Sequence, residues 1–164
     1  MRRYWLVFGA VAMVLASGCQ ATGMGWIQSA DLVHKATFGF VFDGSTSTLS
    51  GSYHDPNGRI AGLPVDVAFK GTGVVRPCKA GEPTCAKGPA NAKGGCLLGV
   101  PSYTSQNPDI PGGGMFSLLV CDLDGTGGAG ADFILISVDS GPYTGYSNSG
   151  TPSGNITVRN DVSP

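Results

Sequence analysis

The chain has 164 residues, including 27 glycines and 11 prolines, and its formal net charge is −1. Charged residues are only 13% of the chain and the two signs nearly balance, which excludes a strongly basic nucleic-acid-binding protein. Glycine and proline are abundant, but the apolar residues are regularly patterned, which excludes a disordered chain.

The first eighteen residues have the features of a secretory signal. Arg2 and Arg3 are followed by an uncharged, mostly apolar run from Tyr4 to about Ala16. This run is shorter than the roughly 20 residues that a membrane-spanning helix needs. Residues 1–18 are therefore predicted to be a signal peptide that is removed on export.

The leader ends in Ala16-Ser17-Gly18-Cys19, which resembles the bacterial lipobox. In that motif diacylglycerol is attached to the cysteine thiol and the chain is cut just before it, and two or more acyl chains hold a protein stably in a bilayer. Cys19 is therefore expected to be the lipidated first residue of the mature protein. The alternative is an ordinary signal peptide cut nearby, with Cys19 as a spare thiol. Ala16 departs from the branched residue usual at its position.

Lipidation at Cys19 predicts a protein of the cell envelope that is lipid-anchored after export. Gln20 after the cysteine indicates the outer membrane if the organism has two membranes. Residues 19–35 are predicted to be the lipidated cysteine and a short tether, and residues 36–160 the folded domain. Loss of residues 1–18 leaves eight basic and eleven acidic side chains, a net charge of −3, so no nucleic-acid partner is expected.

Along the domain, apolar residues recur with a period of two. Phe38, Phe40 and Phe42 share one face of TFGFVF. Further strand candidates are TLSGSYHD, LPVDVAFK, GTGVVR, CLLGV, MFSLLVCDL, ADFILISVD and GNITVRN. The runs Met115–Cys121 and Asp132–Val138 are apolar on both faces, which predicts strands that are covered twice. Because glycine- and proline-rich turns separate the strands, we expect an all-β fold, a single antiparallel β-barrel or sandwich of about 7–9 short strands.

Four cysteines follow Cys19, and export places them in an oxidising compartment where an even set usually pairs. Cys78, Cys85, Cys96 and Cys121 allow three connectivities. We favour Cys78 with Cys85 and Cys96 with Cys121, because PCKAGEPTC is a compact segment that closes locally. Residues 77–95 are predicted to be a surface loop.

Metal and cofactor sites receive little support. The cysteine spacings do not form paired C-x-x-C knuckles, and the histidines lie far upstream. Asp122, Asp124 and Asp132 surround a glycine-rich turn and are candidate calcium ligands, but the EF-hand spacing fails after Asp124. Aspartate and glycine are also what a plain turn requires. No metal or cofactor is predicted, and calcium binding at this turn stays open.

Catalytic arrangements are equally scarce. His54 is next to Asp55, but neighbours in a strand point to opposite faces, so the two do not share a pocket. No G-x-S-x-G elbow accompanies the many serines. No enzyme activity is therefore predicted. Tyr143 and Tyr146, three apart in an extended segment, are expected to point to opposite faces, one packed inward and one exposed.

The order GWI, KATFGF, LSGSYHD, GGGMFSLLVCDLDGTG and ADFILISVDSGPYTGYSNSGTPSGNITV resembles the post-COAP domain of secreted and surface bacterial proteins. Gly39, Asp55, Asp132 and Gly154 lie at positions of that family's pattern, while Ser153 replaces a glycine and the 77–95 insert is longer than expected. The resemblance implies a small extracellular all-β module, often appended to larger surface proteins and without an established catalytic role.

Two functions follow from these observations. The first is a non-enzymatic, membrane-anchored surface or periplasm-facing lipoprotein, a rigid β-module for contacts with an envelope protein or a glycan. The alternative is a small-ligand carrier or enzyme with an apolar pocket inside a lipocalin-like barrel, lined by Phe38, Phe40, Phe42 and Tyr53. The packing of the interior distinguishes the two.

Overall fold

The computed structural model describes residues 19–78, 85, 95–123 and 132–159, with Cys19 and Gln20 described by their backbone alone. Within these residues the chain forms ten β-strands and no α-helix, which confirms the predicted all-β class. The strands are β1 (Cys19–Gln28), β2 (Lys35–Asp43), β3 (Thr48–Ile60), β4 (Leu63–Cys78), β5 (Cys96–Gly99), β6 (Ser102–Ser105), β7 (Gly113–Cys121), β8 (Phe133–Val138), β9 (Ser147–Gly150) and β10 (Ser153–Val158).

All pairings are antiparallel and belong to one sheet, in the order β10-β1-β2-β3-β4-β5-β7-β8-β9, with β6 bridging β4 and β7. The first strand therefore lies between β2 and the last strand. The sheet curls until β9, at one end of this order, reaches β1, the second strand from the other end, where Asn148 Nδ2 donates to the Gln28 carbonyl oxygen at 3.1 Å. The curled sheet encloses a single main core.

The core is built by the predicted alternation. Phe38, Phe40 and Phe42 are buried on the inner face of β2, and Tyr53 in β3 lies opposite Phe69 in β4. Ring centroids of that pair are 5.5 Å apart. Burial of each such aromatic side chain stabilises the fold by roughly 1.5–3 kcal/mol, which makes this inner face the main source of stability.

A second, smaller core lies on the opposite face of β7 and β8. Leu119 and Cys121 are buried there together with Cys78, Cys85 and Cys96. The prediction that these two strands are covered on both faces is thus confirmed. Within the predicted surface loop 77–95, Pro77 and Cys78 belong to β4 and Cys85 is buried, whereas residues 79–84 and 86–94 lie outside the described residues and the loop there stays a prediction.

The open edge of β10 is closed by two carboxylates. Asp132 Oδ2 accepts the Ile156 backbone N–H at 2.6 Å, and Asp122 Oδ2 accepts the Val158 N–H at 3.2 Å. Both aspartates are fully buried. They occupy the place that a further strand would take, so the buried N–H groups of β10 are satisfied without one.

The predicted tether is wrong in its larger part. Residues 19–28 form β1, which is paired on both sides, and only residues 29–34 lie between β1 and β2. The alternation was hidden because the inward positions of β1 begin with Ala21 and Gly23, which carry little or no apolar side chain. The count of ten strands exceeds the expected number partly because β6 and β9 are short and polar.

The expectation of one exposed tyrosine is also wrong, since Tyr143 and Tyr146 are both fully buried. The segment between them is a turn rather than an extended chain. The Tyr146 N–H donates to the Tyr143 carbonyl at 3.0 Å, and Gly145 has a φ of 87° that favours glycine. A turn can direct residues three apart into the same interior.

Replacing Asp132 with alanine tests the carboxylate seam. The change leaves the buried Ile156 N–H without its acceptor, so the free energy of unfolding should fall by about 1–3 kcal/mol in urea denaturation. Asp66→Ala is the matched control, because Asp66 is exposed and pairs only with exposed His54; it should cost less than about 0.5 kcal/mol. Equal losses in the two variants would contradict this role of Asp132.

Candidate functional site

Cys19 is the first described residue and lies in β1. Cys19 pairs with Asp43 at the end of β2, next to the turn 44–47 that leads into β3. On the other side of β1, Val158 pairs with Ala21 and is followed by exposed Arg159. We call Cys19, this turn and Arg159 the Cys19 end.

The turn at the Cys19 end is fixed by its own hydrogen bonds. The Ser45 hydroxyl and backbone N–H donate to Asp43 Oδ1 at 2.6 and 2.9 Å, and they lower the pKa of that carboxyl. The Ser47 carbonyl accepts the Val75 N–H at 3.0 Å. Ser45 and Thr46 remain exposed at its tip.

The other four cysteines form two disulfides, Cys78–Cys85 and Cys96–Cys121. This is the pairing that the sequence favours. Cys96 and Cys121 are direct partners of neighbouring strands β5 and β7. The Cys19 side chain lies outside the described part of the structure, so its lipidation stays a prediction.

At the opposite end of the sheet, five polar side chains form a buried relay. Asn148 Nδ2 donates to the Tyr53 hydroxyl at 3.1 Å. The Tyr53 hydroxyl in turn lies 2.5 Å from the Tyr146 hydroxyl. The Tyr146 hydroxyl donates to Asp55 Oδ2 at 2.7 Å, and the Ser29 hydroxyl donates to Asp55 Oδ1 at 2.6 Å. The relay therefore ends on one carboxylate that has a partner on each oxygen.

Burial governs the electrostatics of this relay. Burial raises the pKa values of Tyr53 and Tyr146 far above the usual 10.0. Contact with the Tyr53 hydroxyl raises the pKa of Tyr146 further. Asp55 has no exposed surface. The tyrosine hydroxyls therefore stay protonated, and the hydrogen bonds of the relay hold the segments around Ser29, Asp55 and Tyr146 together.

The neighbour of Asp55 takes no part in the relay. His54 is exposed on the outer face, where its Nε2 lies 3.0 Å from Asp66 Oδ1. The prediction that His54 and Asp55 point to opposite faces is confirmed. These two residues form no catalytic pair.

Two of the three candidate calcium ligands have a structural role. Asp122 and Asp132 hold the edge of β10, and Asp124 lies outside the described residues. Among the residues that the structure describes, no group of three or more histidine, cysteine, aspartate or glutamate side chains could hold a metal ion. The carboxylates of Asp122 and Asp132 accept hydrogen bonds from backbone N–H groups of β10, which accounts for their buried positions.

The interior of the curled sheet is nearly filled. The cavity bordered by Phe38, Phe40, Tyr53, Phe69 and Phe116 measures about 20 Å³. A water molecule needs about 10–15 Å³ measured this way, so the space suffices for a single water and not for an organic ligand.

The outer face of β1 to β4 carries a broad open groove of about 730 Å³. Gly39 forms part of its floor, and a Cβ at that position would meet nothing within 4 Å. Met24, Val41 and Lys70 border it, with Ser50 and Ser52 between them. The face is accessible, weakly charged and mostly built from short side chains.

The sequence reasoning missed the relay. Its signal was present in β3, where Asp55 has the same parity as Tyr53 and therefore points to the core face. A carboxylate on a core face requires donors. The side chains that donate to Asp55, those of Ser29 and Tyr146, come from segments far apart in the chain, and only the fold shows which residues they are.

Comparison of the chain with protein-family models, with curated proteins and with solved structures finds no match. The resemblance to the post-COAP domain therefore stays a prediction. In the part of the chain that the structure describes, no helix has the length and apolar composition needed to cross a membrane.

The buried tyrosines predict instability at alkaline pH. Below about pH 10 both states keep their tyrosine protons; above it the unfolded chain loses them while folded Tyr53 and Tyr146 do not. The free energy of unfolding should then fall by up to ~1.4 kcal/mol per pH unit for each tyrosine. Urea denaturation and tyrosinate absorbance over this range measure the effect. Tyr146→Phe should show a smaller slope, and tyrosines ionising near pH 10 in an intact fold would contradict the prediction.

The inner and outer glycines should respond oppositely to alanine. A Cβ at Gly51 would lie 2.6 Å from the Gly39 carbonyl oxygen and 2.9 Å from Phe40 Cβ, so Gly51→Ala should destabilise by about 1–3 kcal/mol. Gly39→Ala is the control, because its side chain enters open space; it should leave stability unchanged or raise it by up to about 1 kcal/mol. Thermal unfolding of both variants measures these changes in stability. A Gly51→Ala protein as stable as the unmodified protein would argue against the close contact between β2 and β3.

Proposed function

We propose that this protein is a bacterial envelope lipoprotein, anchored by acyl chains on Cys19, whose β-domain makes non-enzymatic contacts with an envelope protein or a glycan. The observation that carries the proposal is the sequence around Cys19. The chain begins with two arginines, continues with an apolar run too short to span a membrane, and then reaches Ala-Ser-Gly-Cys. This is the order of features in a lipoprotein signal peptide.

Two structural observations support export. The four remaining cysteines are paired in two disulfides, a state typical of oxidising compartments. The ten described strands all lie within residues 19–158, which a cut just before Cys19 leaves intact. Lipidation and folding are therefore compatible.

A contact role fits the packed interior better than a carrier role. The core cavity holds one water at most, whereas a lipocalin-like carrier needs space for its ligand. Some of the exposed apolar side chains lie at turns remote from Cys19, namely Leu32 and Val33 between β1 and β2 and Leu63 at the start of β4, while others such as Met24 and Val74 lie on strands. Such positions suit binding of another molecule from outside.

The β1–β2 turn has a defined shape for such contacts. Asp31 accepts the Val33 and His34 N–H groups at 3.0 and 2.9 Å, and these bonds lower the pKa of the Asp31 carboxyl to about 2. Leu32 has a φ of 59°, which is unusual for a bulky residue. The post-COAP resemblance, with its appended surface modules, is consistent with this role.

Cys19→Ser tests the anchor. The unmodified protein purified from bacterial membranes should carry the mass of the acyl groups and lack residues 1–18, whereas the Cys19→Ser protein should be recovered soluble and folded. Intact mass before and after reduction reports the acyl groups and the two disulfides together. A Cys19→Ser protein that stays in the membrane, or an unmodified protein without an acyl mass, would refute the proposal.

A further inference from the structure

Almost no free chain separates the proposed lipid from the sheet. β1 begins at Cys19, whose backbone lies opposite Asp43. Two residues later, Ala21 is paired on both sides, with Phe42 and with Val158. A strand held between two neighbours cannot swing like a flexible linker. The surface around Cys19 is therefore fixed relative to that residue.

That surface has the chemistry of a headgroup contact. Ser45 and Thr46 expose hydroxyl-bearing side chains at the tip of the turn 44–47. Arg159 is exposed directly after the last paired residue of β10. A guanidinium binds phosphate through paired donors, so Arg159 supplies the phosphate contact at this surface, while the Ser45 hydroxyl donates its proton to Asp43 Oδ1 within the turn. Phospholipid headgroups offer many such phosphates in one plane.

We propose that the Cys19 end lies within the headgroup layer of the bilayer that holds the acyl chains, with Thr46 and Arg159 in contact with phospholipid. This inference rests on the proposed lipidation of Cys19. It adds an orientation, in which β1 and β2 run away from the bilayer. The domain then contacts the bilayer surface directly instead of moving on a flexible tether.

The opposite end of the sheet then faces away from the membrane. Gln28 is nine residues beyond Cys19 in the same strand, a distance of about 30 Å along the strand at roughly 3.3 Å per residue. Leu32 and Val33 follow Gln28, with 75% and 76% of their surfaces exposed. These apolar side chains are thus presented to molecules outside the bilayer.

Tryptophan quenching at the two turns that flank β2 tests the orientation. The lipidated Thr46→Trp and Val33→Trp proteins are each reconstituted into phosphatidylcholine vesicles in which part of the lipid carries a nitroxide on its headgroup. Both positions are exposed, and both proteins share Trp26 as a background. Thr46→Trp should lose most of its added fluorescence, and Val33→Trp almost none. Thr46→Trp combined with Cys19→Ser, added to the same vesicles, should be unquenched.

The outcomes separate this inference from the proposed function. Acylated protein in which Thr46→Trp is not quenched would overturn the orientation and leave the anchor intact. Equal quenching of Thr46→Trp and Val33→Trp would overturn it as well, because the domain would then lie on its side. Absence of the acyl mass would overturn both proposals together.

Discussion

The rest of the structure depends on how the last strand is closed. A buried strand needs a partner for every backbone N–H, and β10 has a neighbouring strand on one side alone. Asp122 and Asp132 accept two of its N–H groups on the other side. The sheet curls around its aromatic core although, among the described residues, its end strands β9 and β10 do not pair with each other.

A third buried carboxylate, that of Asp55, binds strands together at the other end of the sheet. Asp55 in β3 binds Ser29, which follows β1, and Tyr146, which precedes β9. Asn148 of β9 donates both to Tyr53 and to the Gln28 carbonyl. Carboxylates thus bind the sheet together near both ends, and each accepts hydrogen bonds from residues distant in the chain.

The sequence predicts the strands whose inward side chains are large. Phe38, Phe40 and Phe42 fix the inner face of β2, and the apolar runs of β7 and β8 correctly indicate two covered faces. The sequence pattern does not predict β1, because its inward positions include Ala21 and Gly23. These residues are too small to produce an alternation of hydrophobicity. The prediction that Tyr143 and Tyr146 point to opposite faces is wrong because it assumes an extended chain. The segment between them forms a tight turn instead. The relay was beyond sequence reasoning, since hydrogen-bond partners more than 90 residues apart are set by the fold.

The pairing of the first strand with the last sets the order in which the domain can fold. Ala21 and Val158 are neighbours in the sheet but lie more than 130 positions apart in the chain. Closing so long a loop is slow and contributes its stabilisation only at the final step. In the exported lipoprotein proposed above, β1 would keep one side unpaired until residues 153–158 had been translocated, so that edge of the sheet would form late.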